Sequence, residues 1–167
     1  MSKIGIFYGS TTGTTEQIAG EIANKLGVPD SEVHDVAKTA PSAVAPYDVL
    51  IFGASTWGDG DLQDDMHDFL DGVGALDLRG KKVALFGCGD ESMDNTFCNG
   101  VGRMYEYLVK TGATLIGGFN ADGYDFTHSD ADVDGRFVGL VIDNVNHEEL
   151  TDSKITEWTD EIKRQIA

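Results

Sequence analysis

Basic residues are scarce in this chain, which has 12 lysines and arginines against 29 aspartates and glutamates. The formal net charge of −17 argues against DNA or RNA as a partner, because nucleic acids are bound mainly through their phosphate charge. Residues 39–78 contain eight aspartates and no Lys or Arg. Such a stretch suits steering toward basic partner proteins, and it also suits a merely solvated acidic face; the two interpretations are compatible.

Long apolar runs are absent as well, and there are only two cysteines, Cys88 and Cys98. No segment has the length of a membrane span and the N-terminus has no signal-peptide pattern, so we expect a cytoplasmic protein. The spacing of the cysteines fits no zinc or thioredoxin-type motif, and we expect reduced, mostly buried thiols. The length predicts one domain, residues 1–167.

Apolar segments that are typical of buried strands alternate with amphipathic segments that are typical of helices. Strands are predicted over residues 3–7, 32–36, 48–54, 82–87 and 113–119, and helices over residues 16–26, 62–70, 101–110 and from 151 onward. This alternation predicts an α/β fold with an open, doubly wound, five-stranded parallel sheet. Residues 120–146 are too long for a simple turn and contain a strand-like run at 137–142, so we expect an insertion that interrupts the fifth strand.

A hydroxyl-rich loop, residues 9–15, lies between the first predicted strand and the first predicted helix. It reads Gly-Ser-Thr-Thr-Gly-Thr-Thr, with five hydroxyls, two glycines and no Lys or Arg. The unpaired N–H groups and the dipole at a helix start favour a phosphate there. The triphosphate-binding and dinucleotide-binding glycine motifs are both missing. The loop therefore suits a monophosphate held by neutral donors, or else it is a polar turn that only caps a helix.

Ligands on open parallel sheets bind at the carboxyl ends of the strands. The loops after the first, third and fourth predicted strands should therefore meet at one site. These loops, residues 9–15, 55–62 and 87–98, are also the richest in Gly, Thr, Asp and aromatic residues.

Five segments together resemble the long-chain flavodoxins, and the resemblance covers nearly the whole chain. They are Gly-Ser-Thr-Thr-Gly-Thr-Thr at 9–15, Ser-Thr-Trp-Gly-Asp-Gly-Asp at 55–61, Gly-Cys-Gly-Asp at 87–90, Ala-Asp-Gly-Tyr-Asp-Phe at 121–126 and Phe-Val-Gly-Leu-Val-Ile-Asp at 137–143. The resemblance implies a flavodoxin-like sheet in the order 2-1-3-4-5 and one non-covalently bound FMN. It also implies a monomeric one-electron carrier that shuttles between basic-faced redox proteins, a flavodoxin reductase or similar donor and an acceptor enzyme. The negative surroundings predict a low potential, because they disfavour the anionic, fully reduced flavin.

The resemblance also assigns the site. It puts phosphate contacts on residues 10–15, ribityl and ring contacts on the loops after the third and fourth strands, and the inner stacking ring on Trp57, which could otherwise be a core tryptophan. Met93 lies nearest to the position where the family commonly has an outer tyrosine, and a thioether contributes less there than a stacked ring. The candidate cofactor-binding residues are Ser10, Thr11, Thr12, Gly13, Thr14, Thr15, Ser55, Thr56, Trp57, Gly58, Asp59, Gly60, Gly87, Cys88, Gly89, Asp90, Met93 and Cys98.

Two other functions remain open at this point. An FMN-dependent NAD(P)H oxidoreductase has the same fold, but no segment suits nicotinamide; a phosphoacceptor domain would need acids after the first strand. No catalytic nucleophile or metal-ligand spacing is found. Residues 130–135 match the first half of an EF-hand loop, but position twelve is Val141 and the flanks predict strands, so we interpret them as an exposed acidic loop without calcium.

Overall fold

The computed structural model describes residues 2–10, 13–57, 61–92 and 96–166. The strands in these ranges are β1 (Ile4–Gly9), β2 (Val33–Asp35), β3 (Val49–Trp57), β4 (Asp61–Leu62), β5 (Lys82–Cys88), β6 (Thr114–Leu115), β7 (Asp132–Val133), β8 (Arg136–Phe137) and β9 (Leu140–Ile142). The helices are α1 (Thr14–Leu26), α2 (Asp64–Val73), α3 (Asn99–Leu108) and α4 (Glu148–Ile166). In the ranges given, no helix combines the length and the apolar character that crossing a membrane requires.

The main sheet is parallel in the order β2-β1-β3-β5, and β6 and β9 both lie beside β5. β6 pairs with the beginning of β5 at Lys82 and Val83, whereas β9 pairs with its end, from Phe86 to Cys88. The two short strands thus occupy two halves of one edge position. β5 is the fourth predicted strand, and β6 and β9 together are the fifth. The predicted order 2-1-3-4-5 and the interrupted fifth strand are therefore confirmed. β4, which pairs antiparallel with the end of β3, was not predicted.

Both faces of the sheet are covered, which explains the continuous apolar runs of the central strands. Helices α1 and α4 pack against one face, where Ile18, Ile22, Ile155 and Trp158 are fully or almost fully buried. Helices α2 and α3 pack against the other face through side chains such as Phe69 and those of Met66, Leu70, Val101 and Met104. Burying each large apolar side chain contributes about 1.5–3 kcal/mol, so these two layers dominate the stability.

Several predicted boundaries are wrong, and local chemistry explains them. α2 begins at Asp64 rather than at residue 62, because the Gln63 side chain caps it by accepting a hydrogen bond from the Met66 amide at 2.9 Å. The strand predicted over residues 113–119 ends at Leu115, two residues before Gly117, whose φ of 78° is incompatible with a continued strand.

Whereas the start of α2 was predicted too early, the starts of the last two helices were predicted too late. α3 begins at Asn99 rather than at residue 101 and is followed by a 3-10 turn over residues 109–111. α4 begins at Glu148 rather than at Thr151, whose hydroxyl donates to the Asn144 side chain at 2.7 Å from inside the helix. Sequence periodicity gives helix ends only to within a few residues, because the caps decide them.

The inserted segment contains a short β-hairpin. Strands β7 and β8 pair antiparallel across Asp134 and Gly135, whose φ angles of 54° and 85° suit a two-residue hairpin turn. Asp130, just before the hairpin, accepts hydrogen bonds from Arg103 at 2.7 Å and from His128 at 2.8 Å. The stretch interpreted as an acidic loop is therefore a hairpin preceded by a paired carboxylate.

Candidate cofactor site

The ends of three central strands lie at the same level of the sheet. Gly9 of β1 is in register with Ala54 of β3, and Ala54 is in register with Gly87 of β5. One step further along, Ser55 is opposite Cys88. The chain leaves these strands at the same carboxyl edge of the sheet. The loops after the first, third and fourth predicted strands therefore begin side by side, as the sequence indicated.

Helix α1 starts at this edge without a side-chain cap among the residues described. Its N-cap is Gly13, with φ 95° and ψ −10°, and a Cβ on this glycine would meet no atom of the other described residues within 4 Å, its chain neighbours aside. The Gly13 amide donates to the Ser10 hydroxyl at 3.0 Å. The amides of Thr14 and Thr15 are in the first helical turn, where no intrahelical acceptor exists for them. The edge therefore presents main-chain donors and a positive dipole end.

The Thr15 hydroxyl points away from the loop. Thr15 is only 2% exposed, and its hydroxyl lies 3.7 Å from the sulfur of Cys88 at the end of β5. Burial raises the pKa of the Cys88 thiol to about 12, so Cys88 stays neutral. The side chain of Thr15 therefore connects α1 to the sheet. Its main-chain N–H remains available to an anion.

The carboxyl end of β3, where the sequence predicted a loop from residue 55 onward, is fixed to the start of α3. The Thr56 hydroxyl accepts a hydrogen bond from the Gly100 amide at 2.8 Å, and a Cβ on Gly100 would lie 3.1 Å from the Ser55 carbonyl oxygen. The Gln63 amide in turn donates to the Ser55 carbonyl at 3.2 Å. The half-buried Ser55 and Thr56 are thereby held at the rim of the site.

Cys98 lies under the loop that follows β5. It is 1% exposed and has φ 51°, and its sulfur lies 3.9 Å from the carbonyl oxygens of Gly87 and Ile142. A Cβ on Gly89 would be 2.8 Å from both the amide nitrogen and the sulfur of Cys98. The thiol therefore points into the protein, and glycine at position 89 lets the loop lie directly on Cys98. Both cysteines are free and buried, as predicted.

Asp90 is held in a hydrogen-bond network that the sequence did not suggest. Its Oδ1 accepts from the amide and the hydroxyl of Ser92 at 2.8 and 2.6 Å and from the Asn146 side chain at 2.7 Å. The bonds from Ser92 are the main cause of a lowered Asp90 pKa. Asn146 also donates to Asp143, which is fully buried and accepts from the Glu91 amide at 2.9 Å.

The surroundings of the site thus include Glu91, Asp143, Asn146 and His147. Glu91 lies in the predicted site loop 87–98 and Asp143 ends the segment 137–143, but none of the four was predicted as a site residue. The available signal was the position of Asp143, directly after the strand-like run at 137–142, where a parallel strand ends at the site edge.

Several candidate residues lie outside the described residues: Thr11, Thr12, Gly58, Asp59, Gly60 and Met93. The same holds for the side chain of Trp57, whose main chain ends β3 opposite Asp61. Their assigned contacts stay predictions.

An acidic surface lies on α2, the helix that follows β3 and β4 in the chain. On α2 the side chains of Asp64, Asp68 and Asp71 are exposed, and His67 lies 3.5 and 3.7 Å from the last two. The opposite side of this helix is buried against the sheet. Since α2 contains no Lys or Arg, its outer side is negative.

Fold and site together define a class of protein: a doubly wound α/β domain in which the first helix starts, with main-chain N–H groups that have no intrahelical acceptor, at the carboxyl edge of the sheet. Residues 6–158 match the family model described as Flavodoxin. The chain is 40% identical over 169 residues to Flavodoxin 1 of Escherichia coli strain K12, with 99% of this chain and 96% of that protein covered. A flavodoxin of Buchnera aphidicola is also 40% identical over 169 residues, with 99% and 97% covered.

Among solved structures, the chain resembles the Fusobacterium nucleatum flavodoxin bound to flavin mononucleotide. The TM-score is 0.92 at 31% identity, and the match covers 99% of both chains. Oxidised Flavodoxin 1 of Bacillus cereus gives a TM-score of 0.72 at 28% identity, over 97% of this chain and 98% of the other. The chain therefore belongs to the flavodoxin family.

Proposed function

We propose that this chain carries electrons between redox proteins by means of one FMN bound non-covalently at the carboxyl edge of its sheet. Flavodoxins are electron-transfer proteins rather than enzymes, and the match spans nearly the whole chain, which supports a single domain over residues 1–167. The relatives give no reason to favour an NAD(P)H oxidoreductase. Two free thiols suit the reducing cytoplasm that the sequence predicts.

The start of α1 is the observation that carries the cofactor assignment. No side chain among the described residues caps this helix, so the amides of Thr14 and Thr15 are available, and a Cβ built on Gly13 would point into open space among those residues. This donor set has no cationic side chain, so it fits a phosphate monoester better than a di- or triphosphate. The predicted hydroxyl donors of residues 10–12 would complete the cradle, with Ser10 already bonded to the Gly13 amide.

The other two loops fit the rest of the cofactor. Bound FMN supplies the redox chemistry, because its ring takes up and releases electrons. The end of β3 lies beside the end of β5, with Ser55 opposite Cys88, so the ribityl and ring contacts are assigned to Ser55, Thr56, Gly87, Gly89 and Asp90. Glycine at 89 lets the main chain lie close, and Trp57 is predicted to cover the inner face of the ring.

The acidic side of α2 supports docking of basic-faced partners beside the flavin. Asp64, Asp68 and Asp71 are exposed on one side of this helix. Opposite charges on a reductase or an acceptor enzyme would accelerate encounter and orient the flavin toward the partner. A monomer suits this role, because the cofactor edge then stays open to one partner at a time.

Comparing FMN with riboflavin tests the cofactor assignment. Both ligands are titrated into apoprotein, with quenching of flavin fluorescence as the signal. We expect riboflavin to bind at least about tenfold more weakly, since hydrogen bonds to a charged group contribute about 1.5–3 kcal/mol each. Equal affinities would overturn the phosphate assignment.

A second measurement separates the carrier from an oxidoreductase. The purified, FMN-loaded protein is mixed with NADPH, first alone and then with a flavodoxin reductase. We expect no bleaching of the flavin absorbance until the reductase is added. Rapid bleaching by NADPH alone would contradict the carrier function.

A further inference from the structure

Glu91 joins three separate parts of the chain beside the candidate site. Its amide donates to Oδ2 of Asp143 at 2.9 Å. Its carboxylate accepts from the Asp125 amide at 2.7 Å and faces Nε2 of His147 at 2.7 Å. The loop after β5 is thus tied to the inserted segment and to the residue just before α4.

His147 completes this junction with both of its ring nitrogens. Nε2 lies 2.7 Å from an oxygen of Glu91, and Nδ1 lies 3.3 Å from an oxygen of Glu149. Carboxylates only accept hydrogen bonds, so both contacts require a proton on the facing nitrogen. The neutral ring has a single N–H and can satisfy one contact, whereas the imidazolium satisfies both. The side chains of His147 and Glu91 are only 25% and 19% exposed, which limits replacement of these contacts by water.

Of the remaining charged and titratable groups around His147, one carboxylate favours the positive ring, one tyrosine is neutral and one lysine opposes it. An oxygen of Asp143 belongs to the same cluster, within 4.8 Å of the facing atoms of Glu91 and His147. The Tyr124 ring, at a centroid distance of 5.6 Å, is neutral because burial raises its pKa. Lys154 lies on Tyr124, 4.8 Å from the ring centroid, and is the one opposing charge among the described residues of this group.

We propose that His147, in its doubly protonated form, is a positioning residue for the cofactor loop 89–92 and acts through Glu91. Loosening Glu91 frees the residues on both sides of it, including Asp90. The inference rests on the proposed function, because the loop is assigned to FMN there. Its consequence is that FMN affinity depends on the protonation of a side chain outside the cofactor site.

The pH dependence has a definite sign. The hydrogen bond to Glu91 is the largest cause of a raised His147 pKa. A raised pKa means that the contribution is fully present below the unfolded value of about 6.5 and is lost as the pH rises through the folded value. FMN should therefore bind less tightly at a pH above the pKa of His147 in the folded protein than at a pH below about 6.5.

The first experiment needs no cofactor. In apoprotein, NMR titration of the four histidines gives their pKa values, and amide hydrogen exchange gives the protection of the Glu91 amide. We expect the His147 pKa to lie above that of a model imidazole and Glu91 protection to fall as this group deprotonates. A His147 pKa at or below the model value would overturn the proposal.

The second experiment follows FMN affinity from about pH 5.5 to about pH 8.5. His147→Gln keeps one N–H donor without titrating, and His67→Gln removes an exposed histidine that also lies beside two carboxylates. Relative to His147→Gln, the wild type should lose about two- to fivefold in affinity across the range, the size of a partly exposed ion pair. The phosphate of FMN titrates identically in all variants and cancels in this ratio. The His67 variant should follow the wild type.

The outcomes separate the two claims. Tight FMN binding with parallel pH profiles for wild type and His147→Gln would overturn the role of His147 and leave the proposed function intact. Absence of FMN binding at every pH would overturn the proposed function, and with it the positioning role. A profile that flattens in both His147→Gln and Glu91→Gln, with no further change in the double variant, is the result expected of one shared contact.

Discussion

Gly102 of α3 lies directly on the main chain of Asp130. A Cβ at position 102 would lie 2.6 Å from the Asp130 carbonyl carbon and would overlap its oxygen. Nearby, the Asn99 side chain accepts from the Asp130 amide at 2.7 Å, and the Ser129 hydroxyl donates to the carbonyl of Phe97. The inserted segment is thus seated on the first turn of α3, immediately after the candidate cofactor loop.

Gly102→Ala should destabilise the protein by about 1–3 kcal/mol, because the added methyl group forces the insertion off the helix. Gly20→Ala is the matched control: this glycine is also inside a helix, but a Cβ there would meet nothing within 4 Å. The control should gain about 0.5–1 kcal/mol from helix propensity. Denaturant unfolding of both variants checks the pair, and a neutral Gly102→Ala would contradict the close contact.

Gly13 should tolerate asparagine better than alanine. There is open space around its Cβ position, but its φ of 95° disfavours side chains with a Cβ. Gly13→Ala should cost about 1–2 kcal/mol, whereas asparagine visits positive φ more readily. The loss should appear both in thermal stability and in FMN affinity, which calorimetry measures. If alanine and asparagine behaved alike, the backbone angle would not be the deciding factor.

The two thiols should be unreactive in the native protein. Burial raises the pKa of Cys88 to about 12 and that of Cys98 well above its ordinary value, so neither forms the reactive thiolate at neutral or mildly alkaline pH. Ellman's reagent at about pH 8 should detect no fast thiol in the folded protein and both thiols after denaturation. Fast labelling of either cysteine in the folded state would show that its burial is incomplete.

Charge reversal on α2 should slow association with a reductase. Asp68→Lys together with Asp71→Lys reverses two charges on the exposed side of this helix. Both residues lie beyond the first helical turn, so the charges that favour the helix start are kept. Glu157→Lys with Asp160→Lys makes the same change in net charge on α4, which covers the other face of the sheet. Stopped-flow rates at low salt should fall mainly for the α2 pair, and added salt should reduce the difference because the field is screened beyond roughly 8–10 Å. Equal effects of the two pairs would point to net charge rather than to a docking surface.

The sequence predicted the sheet well because burial leaves a direct pattern. The continuous apolar runs at 48–54 and 82–87 correspond to β3 and β5, which are covered on both faces. Helix starts were less predictable, since they depend on caps such as Gln63, which only the folded chain brings into place. The length of the edge strand was overestimated, because the chain turns out of the sheet at Gly117. The φ angle of a single glycine cannot be predicted from the sequence.

The site was predictable where a motif carries it and not where distant segments meet. The hydroxyl-rich loop and the glycines at 87 and 89 are visible in the sequence. The contacts of Asp90 and Glu91 with Asn146 and His147 join residues 56 positions apart, and no local pattern encodes such pairs. The hydroxyl of Thr15 illustrates the opposite case, since its motif position suggested a ligand donor and the fold directs it to Cys88.

The divided edge strand has a consequence for biosynthesis. β6 is made early, but β9 and the residues that hold the loop after β5 leave the ribosome only after the whole insertion has been translated. Until then the carboxyl half of β5 has an unpaired edge, and Cys88 lacks its neighbour Ile142. Until residues 140–142 have left the ribosome, the nascent chain therefore exposes an unpaired strand edge that can pair with other chains, and this edge closes only when β9 is free to join the sheet.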